Sequence, residues 1–252
     1  MTFFRDTWII FLRSMRLSLR QPLWVLIGLL QPILYLTLFG PLLQNIAATS
    51  GFQGDAWQVF VPGLLVQLGI FGGLFVGFGI IAEIRSGVID RQLVTPAARA
   101  SIVAGRTLRD VVVITVQGIV LVAAAFALGL RVPVAALLIA LVLVALLGAA
   151  FSFISNAIGI ATKSEDALAP LVNTLALPIL LLSGILLPMN IAPQWLQTVS
   201  NFNPFKHIVE ALRAVFRSDF SDPIVWIGVV LAVILVVLGA WLGSRTLAAQ
   251  TK

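Results

Sequence analysis

Six stretches of this chain, residues 22–43, 59–82, 111–130, 134–161, 167–187 and 223–243, contain no Lys, Arg, Asp or Glu. A helix needs about twenty predominantly apolar residues to cross the hydrocarbon core of a bilayer, and each stretch meets that length. The feature leaves little room for a soluble fold. Charged residues make up 10% of the chain and hydrophobic ones 60%, with a mean hydropathy of +1.08. Soluble domains carry about 25% charged residues. The expected fold is an all-α polytopic membrane protein, a single transmembrane domain with six spans.

The segments between the spans differ in character. Residues 1–21 lack the uninterrupted apolar core and small-residue cleavage site of a signal peptide. Wound at helical pitch, Arg5, Asp6, Arg13, Arg16 and Arg20 share one arc, while Phe4, Trp8, Phe11, Leu12, Met15 and Leu19 fall opposite. That is the pattern of a helix lying in the membrane interface, with Trp8 toward the acyl boundary and Arg13, Arg16 and Arg20 toward lipid headgroups. Pro22 suits the first turn of the first span, and Gln31-Pro32 is expected to kink it. Asn45–Gln58 is polar, carries no Lys or Arg, and is expected to face outside. The second span carries Gly69, Gly73 and Gly77, a ladder of small residues that admits a close helix neighbour. Residues 188–222 are too polar to span simply. Asn203-Pro204 there reads as an N-cap followed by proline at the first helical position. The helix that follows is expected to pair Lys206 with Glu210 and Glu210 with Arg213, and to dip into the outer leaflet as a re-entrant segment.

Charge sets the orientation. With both termini cytoplasmic, twelve of the sixteen Lys and Arg residues fall inside; Arg131, Lys206, Arg213 and Arg217 are the exceptions. The expected location is the cytoplasmic membrane. The formal charge of +6 is therefore a topology signal, and no basic groove or aromatic platform points to nucleic acid.

Chemistry of its own is scarce. The chain has no cysteine and one histidine, His207, so thiolate and His-pair metal motifs are excluded. No Gly-x-x-x-x-Gly-Lys-Ser/Thr loop, Gly-x-Ser-x-Gly elbow or His-Glu-x-x-His pair occurs. Acidic relays within the spans, expected of a proton-coupled transporter, are missing; Glu210 is the acid to keep if its helix enters the bilayer. The neutral polar residues Gln67, Gln117, Asn156 and Asn173 either line a path for an amphipathic cargo or hold helices together. The chain offers a path without an engine, so energy has to enter from a partner. The connector at 83–110, with Arg85, Arg91, Arg99, Arg106 and Arg109, is the largest basic feature on the cytoplasmic side.

Glu83-Ile84-Arg85-Ser86-Gly87, then Leu93-Val94-Thr95-Pro96 and Gly105-Arg106, resemble the cytoplasmic region of type-2 ABC exporter permeases, within them the daunorubicin-resistance-like drug and lipid exporters. Asn203-Pro204 followed by Glu210-Ala211-Leu212-Arg213 resembles the same family's second signature. Where that family often has more acidic residues, this chain has Val88-Ile89-Asp90-Arg91-Gln92. The resemblance implies a dimer of permeases, from two copies or a copy and a paralogue, joined to two cytoplasmic ABC ATPase subunits that bind ATP and Mg. The connector and the interfacial helix would form the coupling contact. By position, Glu83, Arg85, Gly87, Arg91, Gln92, Leu93, Thr95 and Pro96 would carry it. The expected function is export of an amphipathic drug or lipid-like substrate. A polysaccharide or glycolipid exporter of the same architecture, and an ion-coupled transporter or channel without an ATPase, remain open at this point.

Overall fold

The computed structural model describes residues 2–20, 22–50, 55–93, 98–186 and 189–249. Among them the chain is helical and has no strand: α1 (Thr2–Arg20), α2 (Pro22–Ser50), α3 (Ala56–Leu74), α4 (Val76–Arg85), α5 (Val88–Leu93), α6 (Arg99–Ala127), α7 (Val134–Thr162), α8 (Glu165–Leu182), α9 (Gln194–Asn201), α10 (Pro204–Phe216) and α11 (Pro223–Ala249), with a 3₁₀ turn at Met189–Ile191. Six elements are long and apolar enough to cross a membrane: α2, α3 with α4, α6, α7, α8 and α11.

The core is built around α7. Its Leu143, Val144, Leu147 and Ala150 are fully enclosed, and α3, α4, α6, α10 and α11 all pack on it. The glycine ladder finds its partner here. A Cβ on Gly69 would sit 3.0 Å from Leu147 Cβ, and one on Gly73 would sit 2.6 Å from Phe151 Cβ and 2.9 Å from the Gly148 carbonyl. Side chains at these positions would separate α3 from α7. Apolar helices in lipid gain little from burying one another, so close approach is the main source of packing energy.

The second span is not one rod. Where the ladder reaches Gly77, Ser155 of α7 enters the backbone: its hydroxyl accepts from Gly77 N–H at 2.9 Å and donates to the Leu74 carbonyl. A side chain inserted into the hydrogen-bond ladder is a recognised cause of helix breaks, and α3 gives way to α4 at Phe75.

Other boundaries also move. The stretch 45–58, expected to face outside, is largely helical where described, since α2 continues through Pro32 and Pro41 to Ser50 and α3 begins at Ala56. Residues 99–110, assigned to the connector, are the opening turns of α6. Charge marked the connector's end, but a helix of good formers such as Arg, Ala and Leu does not stop at a charge. The fifth span ends at Leu182 instead of 187, and the chain turns at Gly184 with φ 70°.

In the outer segment, Asn203 accepts from Phe205 N–H at 3.0 Å with Pro204 at the first helical position. Ile208, Val209, Leu212, Val215 and Phe216 are buried as a face of α10, which packs on α3, α7 and α11. Lys206 and Glu210 pair at 3.6 Å, as their spacing predicts. Arg213 does not join them. It turns inward and donates from Nε to the Val59 carbonyl at 2.9 Å and from Nη2 to the Gly184 carbonyl at 2.7 Å. Gly184 lies just past the end of α8, where carbonyls lack helical partners, and a buried guanidinium satisfies one of them.

Substituting Gly73 by Leu is expected to destabilise the protein by about 1–3 kcal/mol through overpacking. Gly79→Ala, with nothing near the added carbon, should stay within about 0.5 kcal/mol of wild type or gain stability. Thermal unfolding in detergent compares the two.

Candidate functional site

The connector is held as a short helix between two fixed points. Ser86 and Gly87 close α4 through N–H bonds to the Ala82 and Ile84 carbonyls, at 3.1 and 3.0 Å. Gly87 then takes φ 69°, a left-handed conformation that costs a side-chain-bearing residue about 1–2 kcal/mol. This reverses the chain into α5. Ile89 of α5 is buried in a small cluster with Ile80, Val103 and Ile160, apart from the main core. With that side seated, Arg91 is exposed and Gln92 half-buried. Leu93 ends α5; Thr95 and Pro96 lie outside the described residues.

The remaining connector residues are engaged within the chain. Arg85 forms an exposed ion pair at 3.1 Å with Glu165, in the first turn of α8 where a carboxylate also meets the helix dipole. Glu83 is paired with Arg106 of α6, whose side chain is only 2% exposed. One turn further along α6, Asp110 is buried and accepts from Ser152 Oγ of α7 at 2.6 Å. Arg109 Nε lies 2.9 Å from Asp110 Oδ1. Thr107 shares the Ser152 hydroxyl at 3.4 Å. The corner where α4, α6 and α7 meet thus holds a buried ionic cluster. The Arg85–Glu165 bridge, being exposed, contributes at most about 1 kcal/mol.

Next to this corner, α1 crosses α6. The Thr7 carbonyl and Ile10 lie against Gly105, where a Cβ would meet them at 2.7 and 2.9 Å. The helix therefore has three faces where two were read: one on α6, one carrying exposed Trp8 and Phe4, and one carrying exposed Arg13, Arg16 and Arg20. Trp8 stacks near Phe11 with ring centroids 5.0 Å apart.

The residues considered for a translocation path do not come together. Gln67 is buried on α3 with its Oε1 unpartnered. Gln117 donates to the Val25 carbonyl of α2 at 2.7 Å, and Asn156 to Ser152 Oγ at 3.3 Å. Asn173 is exposed on α8, and Glu210 is taken up by Lys206. Gln117 ties one helix to another and Asn156 belongs to the Ser152 cluster. Sequence reasoning passed over Ile89, the Glu83–Arg106 pair and the two serines of α7. The available signal was Arg106 and Asp110, i and i+4 on one helix face and too polar to be left in a span unpaired.

This arrangement is a helical membrane domain with a basic connector that carries the seated helix α5, and no reactive constellation of its own among the described residues. The chain matches the family model of the ABC-2 type transporters over residues 5–216 and belongs to that family. It is a transmembrane permease of the kind that serves ABC exporters. It is 28% identical over 200 residues to a protein of Cyanophora paradoxa named as a transport permease, ycf38, covering 78% of this chain and 69% of that one. It is 26% identical over 229 residues to the daunorubicin resistance ABC transporter permease protein DrrB1 of Streptomyces coeruleorubidus, covering 88% and 77%.

Gly87→Ala should raise hydrogen exchange or protease cleavage across residues 85–93, since forcing alanine to φ 69° opens this turn by about 1–2 kcal/mol. The unfolding temperature of the whole domain should stay unchanged, because α5 is seated by its own small cluster.

Proposed function

We propose that this chain is the membrane half of an ATP-driven exporter that moves an amphipathic drug or lipid-like molecule outward across the cytoplasmic membrane. ATP and Mg are held by separate ABC ATPase subunits, which press on the connector. The observation that carries this reading is the seated α5: Ile89 anchors one side, and Arg91 stands free on the other. A loop that served topology alone would need arginines, but no left-handed glycine and no apolar seat. Family membership supports the same reading, and so does the sequence's lack of a phosphate-binding loop.

The arginines of the basic connector support a cytoplasmic ATPase face and cytoplasmic termini. In α1 the exposed Trp8 face suits the acyl boundary and the arginine face suits headgroups. A second permease copy or a paralogue completes the assembly. The least enclosed span, α8, supports this, exposing Asn173 and Thr174 alongside its apolar residues. Polar side chains directed at lipid are costly, and a facing protein surface relieves them.

Alanine at Arg91, Leu93 and Thr95, singly and together, is expected to reduce recovery of the ATPase with the tagged permease by at least tenfold for the triple variant, with export lost in parallel. Unchanged recovery and export in the triple variant would remove the docking assignment. Export from liposomes holding the purified permease without an ATPase would favour an ion-coupled carrier.

A further inference from the structure

The Glu83–Arg106 pair has a place in the fold that packing alone does not require. Helix α4 has a joint at each end, the Ser155-held break at Phe75 and the left-handed turn at Gly87 that leads into α5. Between the joints, Glu83 is bound to the buried guanidinium of Arg106. On α6, Arg106 follows Gly105, the residue against which α1 rests. Asp110 on the next turn is bound to Ser152, and Ser152 lies one turn of α7 from the Ser155 that holds the break. Both elements assigned to the ATPase contact are thus tied to adjacent residues of α6, and α6 is tied in turn to the stretch of α7 that controls the joint in α4.

Stability gives no reason to keep a cation here. Apolar side chains of similar volume often replace a buried ion pair without loss. Among the described residues, Arg106 and Arg213 are the buried arginines. Arg213 binds two backbone carbonyls, whereas Arg106 binds a side chain of α4 and has no acceptor at Nε. We infer that Arg106 is a positioning residue for energy coupling: through Glu83 it makes displacement of α4–α5, which packs on α7, move α6 as well. The inference rests on the exporter reading above.

The test uses the permease purified with its ATPase and reconstituted in liposomes. The chain has no native cysteine, so Thr174→Cys on the exposed face of α8 provides a single site for N-ethylmaleimide. In the Thr174→Cys background, trapping the ATPase with ATP and vanadate should change the labelling rate at least threefold. Glu83→Gln/Arg106→Gln removes both charges of the pair, leaves Asp110 with Arg109, and is expected to fold. In it, the labelling change should disappear in samples matched for the amount of vanadate-trapped ATPase. The exchange Glu83→Arg/Arg106→Glu should restore at least half of the labelling change. A merely structural pair would leave the trapped-state change intact in the neutral double variant, and that result overturns the inference. Failure of the exchanged pair to restore it does the same, as does a Thr174→Cys background that does not respond to trapping. If no ATPase accompanies the wild-type permease, the exporter reading falls first and this inference falls with it.

Discussion

The approach of α3 to α7 sets the terms for the rest of the molecule. Lipid tails are as apolar as leucine, so helices in a bilayer have little to gain from hiding side chains from their surroundings. Gly69 and Gly73 of α3 and Gly77 of α4, at four-residue spacing, let the main chain of the second span lie against α7 with carbonyls and Cβ atoms in contact. The ladder then creates its own ending. At Gly77 there is room for Ser155 to reach the α3–α4 backbone, and the hydroxyl that fills that room interrupts the helix. Both halves are therefore held to α7 by packing, the outer one through Gly69 and Gly73 and the one leading into the connector through Gly77, Gly159 and Ile81, with Ser155 and the small Ile80–Ile89 cluster beside them.

Buried cations are handled differently at the two ends of the bundle. Arg213 spends its donors on backbone carbonyls at Val59 and Gly184, pinning α10 to α3 and to the turn after α8. Carbonyls of that kind move only if a helix end moves. Arg106 instead binds a side chain carried by α4. Side-chain hydrogen bonds between membrane helices are worth about 0.6–2 kcal/mol each, so neither arginine is a large source of stability. Their value lies in register: each fixes which residues of neighbouring helices face one another.

The spans were legible because hydrocarbon thickness imposes a length on apolar runs, and the Asn203-Pro204 start was legible because capping is local chemistry. The glycine spacing announced a close neighbour but could not say that it was α7, since periodicity describes one helix face and not the surface opposite. Local pairing rules also have a limit. Lys206 and Glu210 pair as expected, yet Arg213 leaves Glu210 for carbonyls distant in sequence, because a buried guanidinium takes acceptors that a surface helix never offers. Glu83 and Arg106 lie on different helices, so no spacing rule connects them. The connector's far boundary was drawn where charge ends, whereas the helix α6 begins at Arg99 and carries those charges into its buried first turns.

The fate of the neutral polar residues bears on where a cargo could pass. Gln117 and Asn156 are already committed within the chain, and Gln67 is enclosed between helices. A cargo moving among them would have to displace the contacts that hold α2, α6 and α7 in register. Asn173 is the exception, exposed on α8, a span with little enclosure of its own. A surface of that kind can line a path only when something faces it. On the exporter reading, the path is therefore bounded by α8 and a facing permease surface, and the enclosed bundle around α7 serves as the frame against which that boundary shifts.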